Sequence, residues 1–340
     1  MKNLIGNTPL LKIVYEYKGE ERVLFAKAEY YNFTGSIKDR MANYIMERSY
    51  VDGTLRPGQT IVEATSGNTG ISFSALGALF NHPVHIFMPD WMSKERKNMI
   101  TRHGAILHEV TKEQGGFLGS IRLADEYAEE IGGFRPQQFS NKYNTEAHYA
   151  TTGPEIIAQL QDYGVIADGL VAGVGTGRTI MGVGNSLRLV NPNVKLFPLE
   201  PENSPTLTTG HKVGKHRIQG ISDEFIPELC KLEELDEIIM VDDGDSVIMA
   251  QKLATELGLG VGISSGANFI GAVIAQNKYG KDFNVVTLFS DDSKKYLTTD
   301  LVSVEPVKDG FYSTDIKLIS IEGKCVCAKR IEQRFADEKL

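Results

Sequence analysis

The sequence predicts an α/β protein built of two open parallel sheets in three-layer units. Three observations lead there: short apolar runs recur along the chain, helical periodicity follows most of them, and 340 residues exceed the usual single-domain length. The runs Val23–Ala26, Thr60–Glu63, Val84–Met88, Ala105–Glu109, Gly169–Ala172, Val194–Pro198 and Asn284–Phe289 read as strands. They are largely apolar, as strands covered on both faces are. In 37–48, Ile37, Met41, Tyr44 and Ile45 share one helical face, and similar stretches begin at Thr69, Ser93, Gly153, Thr179, Asp245 and Ala267.

The polar run Asn141–Thr152 separates two such alternating blocks and places a seam near 145–153. After about residue 300 the rhythm changes. Tyr312–Ile321 and Lys324–Arg330 read as an antiparallel tail with no function attached to it.

Composition narrows the function. Hydrophobic residues are 41% and charged residues 24%, with a net charge of −8. That balance speaks against sequence-independent nucleic-acid binding, which needs clustered Lys and Arg. An anionic ligand stays open, since a glycine-rich turn binds phosphate even in an acidic protein. No apolar run is long enough for a signal peptide or a membrane span, so a cytoplasmic protein is expected. Three cysteines do not make a disulfide framework, and Cys325 and Cys327 read as a structural pair on a strand. Seven histidines without a chelating pattern predict no metal site.

Three strand-to-helix turns carry unusual chemistry, at the place where open α/β sheets bind ligands. The first, Glu63-Ala-Thr-Ser-Gly-Asn-Thr-Gly70, supplies hydroxyls from Thr65, Ser66 and Thr69 and an amide from Asn68. It suits a carboxylate, and equally an N-capped turn. The second, Ala172-Gly-Val-Gly-Thr-Gly-Arg-Thr179, lets backbone approach a ligand at Gly173, Gly175 and Gly177 while Thr176 and Thr179 donate. Phosphate is its natural guest. A dinucleotide is the alternative, with Glu200 suited to a ribose, although Arg178 breaks that fingerprint. The third, Thr34-Gly-Ser-Ile-Lys-Asp-Arg40, starts a helix with Lys38, where the helix dipole disfavours a cation. Such an amine is easily neutralised, as a cofactor-linking lysine must be; a surface lysine balanced by Asp39 is the plain alternative. Taken together, a phosphate site, a carboxylate site and a deprotonatable lysine suit pyridoxal phosphate and an amino acid substrate.

At these residues the chain resembles the cysteine synthase/cystathionine β-synthase family of pyridoxal-phosphate enzymes. The resemblance runs from about residue 3 to 300. In order it covers Gly6-Asn-Thr-Pro-Leu10, Gly35-Ser-Ile-Lys-Asp-Arg40, Thr65-Ser-Gly-Asn-Thr-Gly70, Gln138-Phe-Ser-Asn141, Thr152-Gly-Pro-Glu155, Gly173-Val-Gly-Thr-Gly177, Glu200-Pro201 and Gly262-Ile-Ser-Ser-Gly266.

The resemblance implies the tryptophan synthase β-like fold, known as fold type II, with the cofactor in the cleft between two domains. The smaller, mobile domain would span 41–147, the larger 1–40 plus 148–305, and 306–340 would be a C-terminal extension. It further implies that Lys38 carries pyridoxal 5′-phosphate and removes the α-hydrogen of the substrate. Asn68 would face the cofactor's phenolic oxygen and Ser264 its ring nitrogen, and Gly175, Thr176, Gly177, Arg178 and Thr179 would wrap its phosphate. Thr65, Ser66, Gly67, Thr69 and Gln138 would bind the substrate carboxylate. The chemistry implied is β-elimination through an α-aminoacrylate followed by addition of a second nucleophile, in a homodimer acting on small amino acids.

Two places depart from the family pattern. Arg178 replaces a glycine of the phosphate loop, and its guanidinium is expected to point to solvent. In Gly220-Ile-Ser-Asp-Glu-Phe-Ile-Pro227, Ser222 and Asp223 stand where glycine and a neutral residue belong, and Glu224 stands where cystathionine β-synthases have Asp. While an Asp223 that points to solvent is the plain alternative, a carboxylate at Asp223 would repel hydrosulfide and could activate water. This makes conversion of L-cysteine and water to L-serine and hydrogen sulfide the leading expectation. Cysteine synthesis from O-acetylserine and sulfide is its nearest rival. An NAD-dependent dehydrogenase and an inert binding homologue are the alternatives from other classes.

Overall fold

The structure is a computed structural model and describes residues 4–222, 225–227 and 230–325. Its strands are β1 (Leu10–Tyr17), β2 (Glu20–Ala28), β3 (Ile61–Ala64), β4 (Val84–Pro89), β5 (Ile106–Val110), β6 (Gly169–Gly173), β7 (Lys195–Pro201), β8 (Ile239–Val241), β9 (Val285–Phe289) and β10 (Ile316–Lys324). Its helices are α1 (Lys38–Val51), α2 (Asn68–Phe80), α3 (Lys94–Arg102), α4 (Gly116–Ile131), α5 (Lys142–Ala147), α6 (Gly153–Asp162), α7 (Arg178–Leu187), α8 (Thr206–Thr209), α9 (Asp243–Leu257) and α10 (Ile263–Tyr279). A π-helical turn, His148–Thr152, joins α5 to α6.

The strands form two sheets, in the orders β10-β1-β2-β9-β6-β7-β8 and β3-β4-β5. Each of the apolar runs expected from the sequence lies on a strand, and β1 and β8 come in addition. The sheets are three-layered for a simple reason: successive side chains point to opposite faces. Along β6, Leu170 and Ala172 join a core with Ile156 and Leu160 of α6 and Val183 of α7. Val171 between them joins Phe269, Ala272 and Val273 of α10 and Met249 and Leu253 of α9. In the small sheet, Ile61, Ile86 and Met88 pack on Met41 and Ile45 of α1, Phe73 of α2 and Ile100 of α3. Val62, Ala64 and Phe87 pack on Ala124 and Ala128 of α4 instead.

The large sheet is not wholly parallel. β1 runs antiparallel to β2 and to β10. The hairpin turn Lys18-Gly19 has φ of +51° and +83°, the left-handed pair that matches strand twist in a two-residue hairpin. β1 alternates buried with half-buried residues, so a search for continuous apolar runs passes over it. The tail beyond residue 300 becomes β10, the edge strand, paired along β1 from Leu10↔Lys324 to Tyr17↔Ile316. Tyr312–Asp315, expected within it, is a 3-10 turn. Cys325 lies past the strand, exposed, so no strand pair includes it; Cys327 lies outside the described residues.

A buried ion cluster fixes α1 to the large sheet. Arg40 Nε and Nη2 donate to Glu29 at 2.6 and 2.8 Å, and Nη1 and Nη2 donate to Glu155 at 2.8 and 2.7 Å. Lys27 Nζ adds a second cation 2.8 Å from Glu155. Burial opposes the charge on Glu155, but Arg40 and then Lys27 hold its carboxyl well below the usual carboxylate range. Stability from a carboxylate so depressed is complete above its unfolded-state value and lost as the pH falls toward the folded-state one. Glu155→Gln is therefore expected to cost about 3 kcal/mol at neutral pH. Its urea midpoint should also fall less steeply than that of the wild type between about pH 5 and pH 3, as urea titrations at several pH values will show.

Candidate active site

A cleft of about 840 Å³ opens where β3, β6 and β9 end and the loops after them begin. Lys38 lines it from the first turn of α1, Asn68 from that of α2, Thr179 from that of α7 and Ser264 from that of α10. Four helix N-termini thus converge on one space, where partial positive charge favours anions. Of the residues singled out above, Lys38, Thr65, Ser66, Asn68, Thr69, Gln138, Gly175, Thr176, Gly177, Thr179 and Ser264 line it together. Gly67 and Arg178 do not, and Asp223 and Glu224 lie outside the described residues.

Lys38 follows the Ile37 N-cap, and its N–H donates to Ser36 Oγ at 3.3 Å. The plain alternative for this lysine, balance by Asp39 on a surface, does not hold. Asp39 is fully buried, and its oxygens accept from Thr34 N–H, Thr34 Oγ1 and Ser72 Oγ, each at 2.6 Å. Asp39 pins the loop before Lys38 to α2.

The phosphate loop has the features an anion needs. Gly177, the N-cap of α7, takes φ +74° and contributes no side-chain cap; the Arg178 N–H reaches Thr176 Oγ1 at 3.5 Å, and the N–H groups after it remain available to a ligand. A Cβ there would lie 2.6 Å from Cys230 Sγ, and one at Gly175 would lie 2.5 Å from the Gly220 carbonyl. Only glycine fits at either place. Thr179 Oγ1 lies 3.2 Å from His148 Nε2, and His148 Nδ1 lies 2.9 Å from Thr152 Oγ1. Burial, then the charges of Lys38 and Arg40, hold the His148 ring well below its ordinary range. A neutral ring has one donor and one acceptor nitrogen, so it orients both hydroxyls without adding charge.

In the hydroxyl loop, Thr65 Oγ1 accepts from Gly67 N–H at 2.9 Å and Thr69 Oγ1 donates to Gln138 Oε1 at 2.6 Å. Gln138 Nε2 donates to the Ala64 carbonyl at 2.9 Å, so this site is stitched together before any substrate arrives. Gly67 serves by its size: a Cβ there would come within 2.4 Å of Arg96 Cδ.

Some residues of the site escaped the sequence reading. Asp291 is buried, lines the cleft and accepts from Asn68 Nδ2 at 2.7 Å and Tyr296 Oη at 2.6 Å. It is the second residue after β9, so the strand-end rule used for the other turns would have found it. His148 and Arg96 gave no comparable local signal.

Pyridoxal phosphate fits this cleft. Asn68 Oδ1 and Asp291 Oδ1 are buried in its wall without a hydrogen-bond partner among the described residues, and an uncapped helix start faces the same space as Lys38. The dinucleotide alternative loses its acid: Glu200 is fully buried and accepts from Leu207 N–H, Thr208 N–H and Thr208 Oγ1 at 2.6, 3.2 and 2.5 Å. It caps α8. Arg178 overturns the expectation of a solvent-facing guanidinium, for its side chain is wholly buried and donates to the Phe139 carbonyl.

Comparison with known proteins agrees with this geometry. The family described as "Pyridoxal-phosphate dependent enzyme" matches residues 1–291. A cysteine synthase of Staphylococcus aureus is 39% identical over 302 residues, covering 89% of this chain and 96% of the relative. Among solved structures, a hydrogen sulfide-producing enzyme from Fusobacterium nucleatum matches with TM-score 0.93 and 56% identity over 96% of this chain and 98% of that one. A cysteine synthase from Entamoeba histolytica matches with TM-score 0.81 and 33% identity over 92% of each chain. The chain belongs to the pyridoxal-phosphate-dependent enzymes, within the cysteine synthase family, and its cofactor is pyridoxal 5′-phosphate.

Borohydride reduction followed by peptide mass mapping is expected to find the cofactor fixed to the peptide containing Lys38. Lys38→Ala should lose that adduct and nearly all turnover, since Lys38 is the one lysine lining the cleft among the described residues.

Proposed function

We propose that the enzyme converts L-cysteine and water to L-serine and hydrogen sulfide. The observation that carries this reading is the 56% identity, over nearly the whole of both chains, with a hydrogen sulfide-producing enzyme, against 39% with the Staphylococcus aureus cysteine synthase. That enzyme has also been solved as an aspartate-to-asparagine variant holding the α-aminoacrylate intermediate. Asp223 supports the reading from within this sequence. It directly follows Ser222, and Ser222, Gly220 and Ile221 border the mouth of the cleft.

Ser222 itself takes φ +54°, a conformation that glycine adopts freely and other residues rarely do. It is held there by its Oγ, which donates to the Ser204 carbonyl at 2.8 Å and lies 3.0 Å from Thr206 Oγ1.

Held in this cleft, pyridoxal phosphate would supply the electron sink that acidifies the α-hydrogen and lets the β-substituent depart, with the Lys38 amine free to act as a base. In this reading Thr65, Ser66, Thr69 and Gln138 hold the substrate carboxylate, and Lys38 Nζ takes the α-hydrogen. The carbon–sulfur bond breaks and sulfur leaves as hydrosulfide. Asp223 accepts a proton from water as the water oxygen bonds to the β-carbon, and the α-hydrogen is returned. The proton taken by Asp223 passes to the departing hydrosulfide, so one water enters and one hydrogen sulfide leaves. Lys112, Lys212 and Lys215, exposed around the mouth, favour approach of the substrate carboxylate. A cytoplasmic homodimer, as expected from the sequence and from the resemblance to the family, belongs to the same proposal.

Purified holoenzyme given L-cysteine alone should release serine and sulfide in equal amounts. Asp223→Asn should slow serine release by about 100-fold or more, the usual contribution of a general base. Pyruvate and ammonia as products, or an unchanged rate in that variant, would defeat the reading. Faster turnover of O-acetylserine with sulfide would favour cysteine synthesis, the activity named for the Staphylococcus aureus relative.

A further inference from the structure

Arg178 departs from the glycine pattern of the phosphate loop, and its backbone opens α7 at the cleft. Its side chain turns away from the cleft into the protein, where Nη2 donates to the carbonyl of Phe139. A buried guanidinium is costly unless it is hydrogen-bonded, so the contact constrains both partners.

Phe139 follows Gln138, whose side chain joins Thr69 Oγ1 at 2.6 Å to the Ala64 carbonyl at 2.9 Å. The Phe139 ring meets Phe117 of α4 edge-on at 5.7 Å and Phe225 at 5.2 Å. Phe225 lies in the segment 220–227 whose Gly220 and Ile221 line the cleft. Phe139 therefore ties α7 on the large sheet, through its carbonyl, to Phe117 of α4 on the small sheet and to Phe225, through its ring.

We infer that Arg178 is a positioning residue. It clamps the 138–141 loop against α7, so that Gln138 and Thr69 present a preformed site to the substrate carboxylate. A glycine at 178 has no side chain to reach the Phe139 carbonyl, so in an enzyme with that residue the loop must be ordered by other contacts. This inference rests on the proposed reading that Gln138 and Thr69 hold the carboxylate.

The test is steady-state kinetics of the holoenzyme with L-cysteine for Arg178→Ala and Arg178→Lys, with Gln138→Ala alongside. Loss of one charged hydrogen bond should raise KM in Arg178→Ala by about 10- to 100-fold, more than kcat falls, with the bound-cofactor absorbance retained. A low concentration of a guanidinium salt should restore part of that KM. Arg178→Lys, which keeps the charge without the planar fork, should fall in between. It carries the test if the alanine variant does not fold, a wild-type KM in it then overturning the inference. A wild-type KM in Arg178→Ala overturns it, as does loss of bound cofactor with parallel changes in kcat and KM, which would mark a direct role at the phosphate. If Gln138→Ala itself keeps the wild-type KM, the carboxylate reading fails. If only the Arg178 variants keep it, the clamp alone fails.

Discussion

The rest of the active site depends on one buried cation. Arg40 lies two residues beyond Lys38, and its guanidinium holds the carboxylates of Glu29 and Glu155, with Thr8 Oγ1 accepting from Nη2 at 3.0 Å. Glu155 also accepts the Asn7 N–H at 2.8 Å, and Glu29 orients Asn32, which accepts the Gly6 N–H at 2.8 Å. The N-terminal loop, the end of β2, the start of α1 and the first turn of α6 therefore meet at one charge. Such a cluster contributes little net stability against an apolar replacement, but removing one partner strands a buried charge. Its effect is geometric: the turn that carries Lys38 has a single permitted position.

A second constraint works from the small sheet. Asp39 ties the Thr34 loop to Ser72 of α2, and α2 begins at Asn68. The lysine and the hydroxyl loop are thus held by adjacent residues of α1: Arg40 faces the large sheet and Asp39 faces α2. His148 links the remaining piece, lying between Thr179 of the phosphate loop and the π-helical turn that ends at Thr152. Kept neutral by its surroundings, it can orient hydroxyls without competing with Lys38 for an anion.

These constraints separate what is shared within the family from what is particular to this chain. The lysine, the glycines at 175 and 177 and the hydroxyl loop define a cleft for pyridoxal phosphate and an amino acid, whatever attacks the β-carbon afterwards. Ser222, Asp223 and Arg178 are the residues that differ. Two of them are described in the structure, and both hold loops: Ser222 through Ser204 and Thr206, Arg178 through Phe139.

Sequence alone determined the alternation of strand and helix and the three turns at strand ends, because apolar runs and glycine–hydroxyl motifs are local patterns. It therefore disclosed Lys38, Asn68 and Thr179, and the family resemblance added Ser264. It could not disclose β1, whose alternating pattern is half exposed, or the pairing of β1 with β10 some 300 residues further on. Nor could it give the direction of the Arg178 side chain or the role of Glu200, because a buried polar group takes its meaning from partners distant in the chain. Tertiary structure decided those, along with His148. The physical reason is the same in each case: local chemistry specifies what a residue can do, and only packing decides which groups lie within 3 Å of it.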